Sequence, residues 1–251
     1  MAVAFEGSVA AAVDFGGGLG TTISVSPPSG LAAGELWVAA TYQTVDGGFG
    51  VGPVAVESGW NNIGAYEYRA GVPQDMVGRA QYKVAGASES AVALDCQNAV
   101  HYDCVAVSFA FSGQNATPLG DVVVETGIAG GNSVQTFSPS NLNIDNAGSM
   151  AVSLLGYVQT DLPELLVDQP DGMTRFDGGA TSPVGARIFG AYQAVNAGTY
   201  NPGNWTIEAD ITGFAQWLSG VTFEVQPTAS GVAPRIITPI APISFGGARR
   251  I

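Results

Sequence analysis

LAAGELWVAATYQTVDG (31–47) and DNAGSMAVSLLGYVQTD (145–161) are the stretches on which the fold turns. Each opens on a glycine-bearing turn and runs into β-branched, aromatic and small residues without a helical period, the signature of a strand. Their likeness extends outward. Gly34 aligns with Gly148, Gly59-Trp60 with Gly172-Met173, Tyr82 with Tyr192 and Ser108-Phe109 with Thr222-Phe223, at offsets of 114, 113, 110 and 114. Such steady offsets predict two weakly duplicated halves, at about 20–113 and 143–227, each with about four strands. One set alone buries too little surface to stand by itself. The expected body, residues 1–227, is therefore one antiparallel β-sandwich, with independent twin domains as the alternative.

Other runs read the same way: 21–26, 79–84, 90–95, 105–111, 121–125, 187–195, 204–210 and 218–225 join 35–44 and 150–158 as predicted strands. Between them stand turn formers such as Pro27-Pro28-Ser29-Gly30, Asp171-Gly172 and Asn201-Pro202-Gly203, which fix φ or tolerate positive φ. Many short strands at this spacing mean an all-β sandwich or barrel with very little helix.

Composition narrows the chemistry. Lys83 is the single lysine and His101 the single histidine, so chemistry that needs two histidines, or a Lys with a His, has almost no raw material. No catalytic residue, cofactor or metal is expected. A net charge of −13 repels phosphates and anionic headgroups, which disfavours nucleic acid and membrane as partners. The N-terminus, MAVAFEGSVAAAVDF, carries Glu6 and Asp14 where an export signal needs positive charge. A soluble chain made in the cytoplasm is the expectation. Cys96 and Cys104 are the two cysteines. They fall near the end of one predicted strand and the start of the next, which would permit a disulfide, although cytoplasmic thiols ordinarily stay reduced.

Past Pro227 the character changes. All 21 acids precede residue 228, leaving the body at −16 against five basic residues, while the tail carries +3 from Arg235, Arg249 and Arg250. Pro234, Pro239 and Pro242 forbid a helix and favour an extended chain. Ile236, Ile237, Ile240, Ile243, Phe245 and Ile251 make it too apolar for a solvated linker. Residues 228–251 read as an extended, basic arm suited to a groove on an acidic surface.

Four motifs carry a resemblance: AGELWVA (33–39), Gly59-Trp60 after a Pro- and Gly-rich loop, RAQYKVAGASE (79–89) and VAVSFAFSG (105–113). With a degenerate repeat closing on TFEVQP (222–227), the chain from about 20 to 227 resembles virion structural proteins of tailed bacteriophages. The resemblance implies a jelly-roll-like β-sandwich on the particle exterior, as a capsid decoration (cement) protein, a head fibre or a tail-fibre component. It implies a virion location after assembly in the bacterial cytoplasm. The partners would be further copies of the chain, as a trimer or lattice-bound multimer, and the major capsid protein; for a fibre, a host surface glycan. The signature consists of fold-forming residues and assigns no catalytic role.

The remaining constellations weigh little. His101, Asp103 and Cys104 are neighbours, but in a strand 104 points away from 101 and 103. Asp161, Glu164, Asp168, Asp171 and Asp177 form an acidic stretch, expected in a long loop, that lacks the ligand spacing of a calcium site. Gly16-Gly17-Gly18 and Gly47-Gly48-Phe49-Gly50 are turns without the helix and lysine of a phosphate loop. Of the aromatics, Trp37, Trp60, Trp205, Trp217 and Tyr102 are mostly expected in the core. Tyr66 and Tyr68, two apart in IGAYEYRAG, are the candidate exposed binding surface.

Overall fold

The computed structural model describes residues 1–14, 22–46, 54–68, 74–96, 101–130, 135–158, 166–176, 186–208 and 215–228. Within them every element is a strand, and no helix is long and apolar enough to cross a membrane. The first half contributes β1 (Ala4–Asp14), β2 (Thr22–Val25), β3 (Leu36–Asp46), β4 (Asn61–Tyr68), β5 (Gln74–Val84), β6 (Val92–Asp95) and β7 (His101–Ser112). The second contributes β8 (Gln114–Gly130), β9 (Gln135–Phe137), β10 (Leu142–Ile144), β11 (Ser149–Val158), β12 (Leu166–Asp168), β13 (Thr174–Phe176), β14 (Ala186–Val195), β15 (Gly198–Tyr200), β16 (Trp205–Glu208) and β17 (Ala215–Pro227).

Two five-stranded antiparallel sheets dominate, in the orders β1-β7-β3-β5-β4 and β8-β17-β11-β14-β13. Position by position these are the same order. The register agrees as well: Leu36 opposes Phe111 and Val84, while Met150 opposes Val225 and Ala194. The turns correspond too. Gly34 and Gly148 sit at φ 89° and 85°, their amides donating to Ala85 O and Val195 O. Gly59 and Gly172 both sit at φ 82°, and the following amides of Trp60 and Met173 donate back to Glu57 O and Pro170 O. Each half begins earlier than its sequence-drawn boundary, because β1 and β8 form the edge of their sheets. The join between the halves is Gly113, whose φ of 75° turns the chain from one sheet into the other.

The sheets pack face to face. Leu36, Val38, Ala40 and Tyr42 of β3 meet Met150, Val152 and Leu154 of β11, joined by Phe109, Phe111, Val221, Phe223 and Val225. Each large apolar side chain buried this way contributes about 1.5–3 kcal/mol before entropy. Phe5 closes one side by stacking on Phe176 and Tyr192, with centroids 5.2 and 4.4 Å apart. Near the middle of the interface the Tyr42 ring lies over Gly156, where a side chain would collide with it.

Smaller sheets cover the outer faces. β2-β6 lies on Ala39, Cys104 and Ala106. β12-β16-β9 lies on Leu155, Tyr157, Phe189 and Leu218, and β10-β15 on Ala151 and Val195. The central strands are thus buried on both faces, which explains why they read as near-continuous apolar runs instead of alternating. Both buried indoles on these covered faces find partners, whereas the buried Gln43 amide finds none among the described residues. Trp37 Nε1 donates to Ser108 Oγ at 2.7 Å. Trp205 Nε1 donates to Ser153 Oγ at 2.9 Å, which also accepts from Thr222 Oγ1 at 3.2 Å. Burial pushes the hydroxyls of Tyr42 and Tyr157 well above the usual tyrosine range.

Candidate functional site

The strand directions give the sandwich two unlike poles. At the first, the start, middle and end of the body converge. The Met1 ammonium donates to Thr228 O at 3.4 Å and Val3 N to Gly148 O at 3.1 Å. Thr228 N donates to Gly113 O at 2.8 Å, and its hydroxyl reaches Gly113 O and Gln114 O, both at 3.0 Å. A cleft of about 420 Å³ opens here between Met1, Ala2, Asn146, Gly148, Pro227 and Thr228. Thr228 is the root of the arm. Residues 229–251, including Arg235, Ile236, Ile237, Ile240, Ile243, Phe245, Arg249, Arg250 and Ile251, lie outside the described residues.

At the second pole the strand ends leading into 15–21, 47–53, 69–73, 97–100, 131–134, 159–165, 177–185 and 209–214 come together. The registers prove it: Asp14 opposes Asp103, Asp46 opposes Gln74 and Val45 opposes His101. In the other sheet Val158 opposes both Ala186 and Trp217, and Ala215 opposes Gly130. Tyr42 on Gly156 and the Ser219 hydroxyl, which donates to Tyr42 Oη at 3.3 Å, show that both sheets turn these ends the same way. The strand positions of His101, Tyr102, Asp103 and Trp217 belong to this pole. Tyr66 and Tyr68 occupy the end of β4, paired with Gly78 and Met76, so the backbone sets them on one face. Their side chains, with those of His101, Tyr102, Asp103 and Trp217, lie outside the described residues, as do Asp161, Glu164, Asp177 and both glycine clusters.

The acidic stretch is not one long loop. β12 and β13 interrupt it, leaving Asp168 and Asp171 exposed and separated by a turn. Among the described residues no three His, Cys, Asp or Glu side chains gather as metal ligands do. Cys104 is buried beneath β6 with its sulfur 2.8 Å from that of Cys96, both fully enclosed. The two do not face each other across a hairpin: β6 pairs with β2, so the sulfurs meet between layers. No disulfide joins them.

The quoted motifs meet near the first pole. The Trp37 and Trp60 rings pack edge to face at 4.8 Å, and Lys83 Nζ lies over both, 4.7 and 5.3 Å from their centroids. Its charge is paired with Glu89 at 2.5 Å. Glu89 also accepts from Gly86 N at 2.7 Å, and these contacts, that of Lys83 foremost, hold its carboxyl below the usual carboxylate range. Trp205 is fully buried and Trp60 half-buried, so these indoles form no exposed stacking platform. The lysine ties the β3–β5 end to the segment before β4, a clasp that sequence reasoning missed. A lone lysine following two tryptophan motifs was the available signal.

Comparison with protein-family models, with curated proteins and with solved structures returned no match.

Proposed function

We propose that this chain is a non-enzymatic structural subunit on the exterior of a tailed-phage particle, a capsid decoration (cement) protein held by its C-terminal arm. What carries the reading is the polarity of the body. The arm departs from a pole pinned by the chain start and by Gly113, while the strand ends leading into the longer connections gather at the opposite pole. A subunit tethered at the first pole presents the second outward. The order of the first large sheet, first-seventh-third-fifth, with second paired to sixth in the layer that covers its outer face, supports the jelly-roll-like part of the resemblance. The partners are further copies of the chain and the major capsid protein. Apolar contacts of the arm supply most of the grip, because ion pairs formed by arginines at a solvated surface are worth about 0–1 kcal/mol each.

Quantitative mass spectrometry of purified particles tests this. A decoration protein is present in hundreds of copies, on the order that icosahedral symmetry requires; a few dozen copies or fewer would sink the cement reading. Removing residues 229–251 leaves the body folded and abolishes incorporation, and normal decoration by the truncated chain would show that the arm is not the tether. The second reading, a glycan- or receptor-binding module of a fibre, draws on the position of Tyr66 and Tyr68 at the outward pole. It requires low copy number together with loss of cell binding on replacing both tyrosines by alanine.

A further inference from the structure

We propose that Cys96 and Cys104 form a redox-controlled staple that locks the outer cover of the first half onto its main sheet. The cover is slight: β2 and β6 pair over four residues each. It is held by packing of Ile23, Val25 and Leu94 on Ala39 and Ala106. Cys96 directly follows β6, and Cys104 stands on the outer face of β7, opposite Val13 on one side and Gln43 on the other. Their sulfurs touch across the layer boundary, enclosed on all sides. At 2.8 Å the sulfurs have less than ~1 Å to close to reach bond length.

The arrangement makes the bond a lock between layers, not a brace within a hairpin. It would close a ring running from β6 through 97–100 into β7 and fix the end of the cover at the outward pole. The chemistry is thiol–disulfide exchange with a small disulfide such as oxidised glutathione. When the slight β2–β6 cover opens locally and exposes the pair, one cysteine thiolate attacks a glutathione sulfur and expels one glutathione thiolate. The second cysteine thiolate then attacks the protein-bound sulfur and expels the other. Two protein thiols are oxidised to one disulfide, one glutathione disulfide is reduced to two thiols, and the two cysteine protons pass to the expelled thiolates. The staple is open in a reducing compartment and closed in an oxidising one.

The test uses the full chain, equilibrated with reduced or oxidised glutathione, then unfolded in guanidinium and labelled with maleimide. Reduced protein should take two labels per chain and oxidised protein none. Cleavage before Asp95 and Asp103, without reductant, should release the Cys96 and Cys104 peptides joined to each other. Closing so short a ring should raise the melting temperature of the oxidised form by about 5–10 °C. C96A and C104A chains should show no such rise. Because thiol counting is done on the native sequence, it stands even if those variants fold poorly. Two labels per chain after exposure to oxidised glutathione, or cross-linked dimers in place of the internal bond, would overturn the proposal.

Discussion

Replacing Gly156 by alanine tests whether the two large sheets meet as described. An added Cβ would lie inside the van der Waals envelope of Tyr42 Cδ2 and Cε2, and 2.7 Å from Cγ, where carbon atoms ordinarily rest about 3.5–4.0 Å apart. Tyr42 is fully buried, so its ring moves only by displacing close-packed neighbours. Overpacking of this kind costs about 1–3 kcal/mol. If the ring tilts away it also loses the Ser219 hydroxyl, a net contribution of about 0.5–1.5 kcal/mol. The expected destabilisation is about 2–4 kcal/mol, measured by guanidinium unfolding followed by tryptophan fluorescence. The partner experiment is a double-mutant cycle. Tyr42→Ala alone leaves a cavity costing about 3–5 kcal/mol, and the extra methyl of Gly156→Ala then enters that space. The double variant should be more stable than the summed single effects by about 1–3 kcal/mol. Additivity within about 0.5 kcal/mol, or a Gly156→Ala variant as stable as the native chain, would refute the face-to-face packing.

Three further outcomes are expected. Gly34→Ala and Gly148→Ala impose the same positive φ on a side chain and should each cost about 1–2 kcal/mol; thermal melts differing greatly between them would deny that the two turns are equivalent. Ser153→Ala strands both Trp205 Nε1 and Thr222 Oγ1, whereas Ser108→Ala strands Trp37 Nε1, so the first should lose more in chemical denaturation, at about 1–3 kcal/mol per buried group left unpaired. Because the Glu89 carboxyl is held low when folded, its contribution is present above its ordinary value and is lost as pH falls below about 4.5. Lys83→Met should flatten that part of the melting-temperature decline, and an unchanged acid slope would show that the clasp carries no proton linkage.

The all-β sandwich was legible in the sequence because the central strands announce themselves. Leu36 to Gln43 and Met150 to Tyr157 are all buried, and two-sided burial forces an unbroken run of mostly apolar and small residues. Edge strands obey a weaker constraint. β1, AFEGSVAAAVD, pairs on one side with β7 and needs little bulk, so its alanines and glycine gave no strand signal. β4 starts with Asn61-Asn62 and carries Gly64, placed where Val124 of the opposite sheet leaves no room for a side chain. That is a tertiary demand, invisible along the chain. Of the cover strands, β2, β6 and β16 fall within the runs 21–26, 90–95 and 204–210 read from the sequence; the covers β9, β10, β12 and β15, and the edge strand β13, are three residues long, too short for any period to show. The poles were likewise hidden, since they depend on strand direction, and the Lys83 clasp gathers residues from three separate motifs.

Tyr42 and Gly156 occupy corresponding positions 114 apart, yet they touch each other. They therefore straddle the approximate twofold axis relating the halves, where a position meets its own counterpart. Two copies of the first half arranged in this way would drive one tyrosine ring into another, and two copies of the second would leave a void between glycines. Knob and hole can exist only because one chain encodes both. Joining the halves through the single residue Gly113 thus released the interface from self-complementarity, and each half now specifies a partner other than itself. Neither can be replaced by a duplicate of the other without losing the fit at the axis.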